Sequence, residues 1–244
     1  MSTIKYVTLL FFILFLKQET VGQSNLKLKI TPLTDNFYIY TTYNDYKGTL
    51  VPANGLYLVT ANGVVMIDTP WDTTQFEPLL DSIKTRHHQN IIMCIATHSH
   101  EDRTGGLEYY RKQGIKTYTT VQTDEISKAS NKKRAEFLIL NDTLYTIGGY
   151  SFQTYYGGAG HAPDNIVIWF DKDKILYGGC LIKSVEANDL GNLGDADVHQ
   201  WPATIKNIQK KFVKPEYIIP GHGDWTSKKS IAHTLHLLKE HLAK

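Results

Sequence analysis

Four short segments of this 244-residue chain carry the side chains that most restrict its fold: Thr97-His98-Ser99-His100-Glu101-Asp102, Gly160-His161, Gly179-Cys180 and Gly221-His222. Each follows an apolar, strand-like run, so a fold that uses them together brings several strand ends to one pocket. In extended backbone, alternate residues point the same way, and His98, His100 and Asp102 are therefore expected to converge. Imidazole, thiolate and carboxylate donors in one set suit zinc. The neighbouring glycines allow tight turns around a buried centre. A lone His-X-His is weak evidence for a metal site; the aspartate two residues on and three glycine-flanked donors strengthen it. The other histidines lack this setting. His87 and His88 sit at an expected helix end, His199 in a polar loop, and His233, His236 and His241 on a C-terminal helix.

The runs between these segments alternate between two periods. Strands are expected at Phe37–Thr41, Leu56–Thr60 and Val64–Asp68, with Asn44–Gly48 and Asn62-Gly63 as turns. Phe76, Leu79, Leu80 and Ile83 mark a helix face, with Asp72 or Thr73 as N-cap. Strand Ile91–Ala96 precedes the first donor segment, and a helix is expected from about Gly106. Further strands are read near Ser151–Tyr155, Ile166–Phe170 and Ile175–Tyr177, and helices at Trp201–Phe212 and Ser227–Leu242. Strands with intervening helices in both halves imply an α/β sandwich of two sheets with helices outside, built as one domain over residues 23–244.

Residues 1–22 read as an export signal. Lys5 precedes the apolar run Val7–Leu16, which is too short to span a bilayer, and small Gly22 lies near the expected cleavage point. Export to the periplasm and no membrane span are the expectations. The net charge of +2, without a basic stripe, argues against a nucleic-acid partner. Two cysteines permit at most one disulfide. Cys94 reads as a core residue of its strand, whereas Cys180 follows a Gly-Gly pair and suits metal ligation.

The ordered set His98, His100, Asp102, His161, Cys180, His222 resembles the class B β-lactamases, specifically the subclass with a three-His and an Asp-Cys-His zinc site. The resemblance extends through Gly158-Ala-Gly-His161-Ala-Pro-Asp-Asn165, Gly178-Gly-Cys180-Leu-Ile-Lys183, Leu190-Gly-Asn192-Leu-Gly-Asp195 and Pro220-Gly-His222. It implies a four-layer αβ/βα sandwich and two zinc ions. His98, His100 and His161 would hold the first ion, and Asp102, Cys180 and His222 the second. It further implies hydrolysis of the ring amide of penicillins, cephalosporins and carbapenems, and so antibiotic resistance. The catalytic set would be Asp102, Lys183 and Asn192. Lys183 would pair with the substrate carboxylate and Asn192 would polarise the attacked carbonyl. A three-imidazole zinc keeps a fourth position for water and lowers its pKa to about 7.

Other residues carry narrower expectations. The hairpin Tyr43–Leu50 matches the family's flap. Trp71 reads either as a floor of the site or as a core residue, core being the safer reading, and Asp68 as either a partner for a ligand histidine or a strand-end cap. Ala162 stands where many relatives carry Thr, which removes a hydroxyl beside His161. Arg103, where many hydrolases of this fold carry His, favours the cysteine-site subclass and places a cation beside the second site, favouring a thiolate and an anionic substrate. Two rivals remain: an exported zinc hydrolase acting on another ester, thioester or amide, and a non-catalytic zinc-binding protein. The expected partner is a small β-lactam, and the expected state a monomer.

Overall fold

Two mixed β-sheets face each other, and the apolar alternation along their strands explains why. The computed structural model describes residues 28–244; the expected export signal lies outside the described residues. The first sheet holds seven strands in sequence order: β1 (Lys29–Pro32), β2 (Phe37–Tyr46), β3 (Thr49–Thr60), β4 (Gly63–Ile67), β5 (Ile91–Ile95), β6 (Lys116–Thr120) and β7 (Phe137–Ile139). Along β4, Val65 and Ile67 enter the core between the sheets, while Val64 and Met66 face outward under the helix α1 (Phe76–His87). Both faces of this central strand are therefore covered, as its unbroken apolar sequence requires.

The second sheet has the order β12-β11-β10-β9-β8, made of β8 (Leu144–Ile147), β9 (Tyr150–Tyr155), β10 (Val167–Phe170), β11 (Ile175–Gly179) and β12 (Tyr217–Pro220). Its inner residues Phe152, Ile168, Phe170, Tyr177 and Ile219 meet Phe37, Leu56, Val65 and Ile95 of the first sheet. Its outer face is closed by Trp201, Ile205 and Ile208 of one helix (Trp201–Lys211) and by Ile231 and Leu238 of another (Ser230–Leu242). Each such fully buried side chain contributes roughly 1.5–3 kcal/mol. The layers run helix, sheet, sheet, helix, which is the αβ/βα sandwich implied by the sequence.

Local chemistry places the turns and caps. Lys47 and Gly48, both at positive φ, join β2 to β3, a two-residue turn whose twist suits a hairpin. Strand β2 thus runs five residues beyond the expected Thr41, and the turn is tighter than Asn44–Gly48. Asp72 caps a short 3-10 turn before α1, its carboxylate accepting from Thr74 N–H at 2.8 Å. His88 ends α1 in the left-handed conformation. No helix among the described residues is long and apolar enough to cross a membrane.

Candidate metal centre

All four donor segments arrive at the same end of the sandwich. His98 follows β5, Cys180 follows β11, His222 follows β12, and His161 lies on the loop between β9 and β10. The expected extended run from His98 to Asp102 is corrected. Strand β5 stops at Ile95, and Asp102 rides a single helical turn, α2 (Glu101–Thr104). That turn brings Asp102 beside Cys180, with a donor atom of His98 still within 4.8 Å of both. The separation into two donor sets therefore comes from a loop-to-helix transition, not from strand alternation.

In the first set the rings of His98, His100 and His161 lie edge to face with centroids 4.6–5.0 Å apart. His100 Nδ1 is 3.1 Å from His161 Nε2. Buried His98 Nε2 has no hydrogen-bond partner, and the donor atoms of the three residues lie within 4.8 Å of one another. In the second set Cys180 Sγ lies 3.2 Å from His222 Nε2 and 3.4 Å from Asp102 Oδ2, with His222 Nε2 3.1 Å from that oxygen. Ligands sharing a tetrahedral zinc are spaced by roughly 3.3–3.6 Å. The orphaned imidazole nitrogen and the clustered donors fit such an ion.

The electrostatics suit ligation as well. Burial, followed by the charge of neighbouring groups, holds His98 and His161 well below the ordinary histidine range, so both are neutral. Burial alone would push the Asp102 carboxyl up. The Arg103 guanidinium, 2.9 Å away, and His222 outweigh it and hold Asp102 well below the usual range. Cys180 goes the other way: burial drives its thiol up, and the opposing pull of Arg103 is too small to reverse it. The expectation that Arg103 favours the thiolate is thus outweighed by desolvation, and a metal is what would deprotonate this sulfur.

Arg103 itself is buried at 1% exposure and does not line the groove. It donates to Asn54 O (2.7 Å) and Gly221 O (2.9 Å), and pairs with Asp68 (3.4 Å) as well as Asp102. A methyl group on Gly221 would sit 2.8 Å from both Arg103 Nη2 and Cys180 Sγ, so glycine is required there. Asp68, at φ +66°, touches no ligand histidine. It accepts from Thr97 N–H (2.7 Å) and Tyr177 O–H (2.6 Å), and burial lifts its carboxyl to about 6 against the pull of Arg103.

Several supports were not legible in the sequence. His100 Nε2 lies 2.8 Å from Asp195 Oδ2; with Nε2–H donating to that carboxylate, Nδ1, which faces His161, is the nitrogen available to a metal. Asp195 ends the Leu190–Asp195 motif, but nothing in the motif pairs it with a residue 95 positions away. Replacing Asp195 by Ala is expected to weaken zinc binding at the three-histidine set by about 10–100-fold, read by chelator competition. Unchanged affinity would refute that role. His222 Nδ1–H donates to Pro52 O at 2.7 Å, while Asn54 clamps the same loop through Pro220 O and Gly223 O. Ala162 is buried without a hydroxyl, and His161 Nδ1 has no partner.

Both sets open into one groove of about 500 Å³. Lys183 and Asn192 line it, as do Tyr46 and Val51 of the β2–β3 hairpin. Burial lowers the Lys183 ammonium below the ordinary lysine range; Nζ lies 5.4 Å over the Trp201 ring. Asn192 is exposed, its Oδ1 3.4 Å from Gly194 N. Trp71 is not the core residue expected: it lines the groove, 5.6 Å from the Tyr46 ring and 6.4 Å from that of His222. Among the remaining histidines, His87 packs on Tyr57, His233 bonds Ala187 O and His236 pairs with Glu240, all outside the groove.

Fold and donor sets together define a zinc-type metalloprotein on an αβ/βα sandwich. The sequence matches the metallo-beta-lactamase superfamily over residues 48–222. It is 49% identical over 223 residues to a metallo-beta-lactamase type 2 of Elizabethkingia meningoseptica, covering 91% of this chain and 90% of that protein. Metallo-beta-lactamase IND-1 of Chryseobacterium indologenes is 43% identical over 86% of this chain and 87% of its own. A solved metallo-beta-lactamase from Pontibacter korlensis superposes with a TM-score of 0.85 at 38% identity, spanning 87% of this chain and 99% of that one. The chain belongs to the metallo-β-lactamase superfamily.

Proposed function

We propose that this protein opens the ring amide of β-lactams with two zinc ions, one in each donor set. The observation that carries this is the joint opening of the two sets into a single groove that also presents Lys183 and Asn192. Relatives at 32–49% identity are named metallo-beta-lactamases, which supports the substrate class. His98, His100 and His161 would hold the first ion, and Asp102, Cys180 and His222 the second. Bound zinc supplies Lewis acidity and a water acidified to near neutral pH.

The chain's own groups do the rest. The Lys183 ammonium, on the Cys180 side, binds the substrate carboxylate as a point charge. The Asn192 amide N–H donates to the carbonyl oxygen as negative charge develops there. Trp71 and Tyr46 wall the groove with apolar surface and limit water near the ring, which strengthens both polar contacts. Asp102, kept ionised by Arg103, contributes its carboxylate at the groove floor. Penicillins, cephalosporins and carbapenems share the ring and carboxylate that these groups address, and their hydrolysis would confer resistance. We place the working chain, residues 23–244, in the periplasm as a monomer, on the strength of its N-terminal apolar run and its single fold.

The test is ring opening of a chromogenic β-lactam by the purified mature protein. Opening is expected with zinc bound, abolished by a chelator and restored by zinc. Bound zinc without ring opening would sink the reading and favour a zinc-binding protein or a hydrolase of other substrates.

A further inference from the structure

Three consecutive cations follow the helix Val121–Ala129: Lys132, Lys133 and Arg134. Two of them are committed to carboxylates. Lys133 Nζ lies 3.3 Å from Glu108, and Arg134 makes a two-pronged pair with Asp124 at 2.6 and 2.8 Å. Lys132 differs. Its backbone closes the turn through Ser127 O (2.8 Å), with Asn131 at φ +51°, and the side chain turns into the metal-bearing groove. There Nζ donates to Ser99 O at 3.3 Å, beside the first histidine pair, and no carboxylate lies within 4 Å of it among the described residues. Glu101 and Asp189 line the same groove without reaching it.

The groove therefore presents two separate ammonium groups. Lys183 stands three residues beyond Cys180, and Lys132 stands on the carbonyl between His98 and His100. In a bicyclic β-lactam the ring carboxylate and the acylamino arm leave opposite sides of the reactive amide. A substrate held by its ring carboxylate at Lys183 directs the arm away from that lysine. We infer that Lys132 is a specificity-determining residue that favours β-lactams carrying a second negative charge on the acylamino arm. This inference rests on the β-lactamase reading. It goes further in assigning the arm's charge preference to one residue.

The ammonium is half-buried and spends one proton on Ser99 O, leaving two donors for an anion. Its effect is therefore that of a partly screened ion pair, and it weakens with salt. The experiment compares a benzyl-armed penicillin with its α-carboxylated counterpart, using wild-type protein, Lys132→Gln and Lys132→Arg, with zinc content measured on each. In Lys132→Gln the kcat/KM ratio of carboxylated to plain substrate is expected to fall up to about five-fold, through KM, at low salt. The loss should shrink at high salt, and Lys132→Arg should retain most of the ratio. A ratio unmoved by Lys132→Gln overturns the inference. So does an equal fall for both substrates accompanied by loss of zinc, which would make Lys132 only a brace for Ser99. Wild-type protein that binds zinc yet opens neither ring would instead refute the function on which the inference rests.

Discussion

Replacing Cys180 by Ser is expected to leave one zinc bound and to lower turnover by about two orders of magnitude or more. Sγ lies 3.2 Å from His222 Nε2 and 3.4 Å from Asp102 Oδ2, so it occupies a corner of the second donor set that no neighbouring side chain replaces. A serine hydroxyl is far more basic than a thiolate and a poorer zinc ligand, and its shorter bond retracts the donor atom. His98 adjoins both sets, its donor atom lying within 4.8 Å of those of His100 and His161 and also of Asp102 and Cys180; all three histidines remain in the variant and should keep their ion. Losing the second ion removes Lewis-acid stabilisation worth several kcal/mol, and each 1.4 kcal/mol is tenfold in rate. Zinc content by elemental analysis and kcat on one β-lactam check both halves. Two zincs retained at an unchanged rate would reject the assignment of Cys180.

Arg103 should give the largest change in stability. Its buried guanidinium faces the carboxylates of Asp68 and Asp102 and the carbonyls of Asn54 and Gly221. Arg103→Ala strands two buried acids, a change that costs about 3–5 kcal/mol. A domain of this kind has only about 5–15 kcal/mol in total, so the variant is expected in small amounts only. Arg103→Lys keeps one charge but has no planar fork to reach both carboxylates and both carbonyls at once. It should fold, unfold at lower urea concentration than wild type, and bind the second zinc more weakly. A urea midpoint for Arg103→Lys equal to that of wild type, with equal zinc content, would contradict this account of the buried cation.

The sequence displayed the parts of the fold that follow from local rules. The hairpin at Asn62-Gly63, the apolar strand Ile91–Ile95 and the stripe Phe76, Leu79, Ile83 each carry their period openly. It concealed elements whose burial is tertiary. Strand β6, Lys-Thr-Tyr-Thr-Thr, looks polar, yet Thr117 and Thr119 are buried between neighbours; β7 and β8 are short edge strands with exposed apolar residues.

The six candidate donors stood out in the sequence because imidazole, thiolate and carboxylate after strand ends have few other uses. Their grouping into two sets rested on the family resemblance alone, since no local pattern shows the helical turn that carries Asp102. The contacts of His100 with Asp195, of His222 with Pro52 and of Arg103 with Asn54 span 95, 170 and 49 positions. No local pattern records such pairings. The choice between site floor and core for Trp71 was settled by equally distant contacts, since the hairpin residue Tyr46 and His222 meet it at the groove.

Two ions, one in each donor set, are proposed to act on one β-lactam in the groove between them. Titrating zinc into metal-stripped protein, while following bound metal and ring opening in the same samples, tests this most directly. Two equivalents bound per chain are expected, with the ring-opening rate reaching its full value only as the second fills. Binding that stops at one equivalent with full activity, or two bound ions with no ring opening, would contradict the proposal.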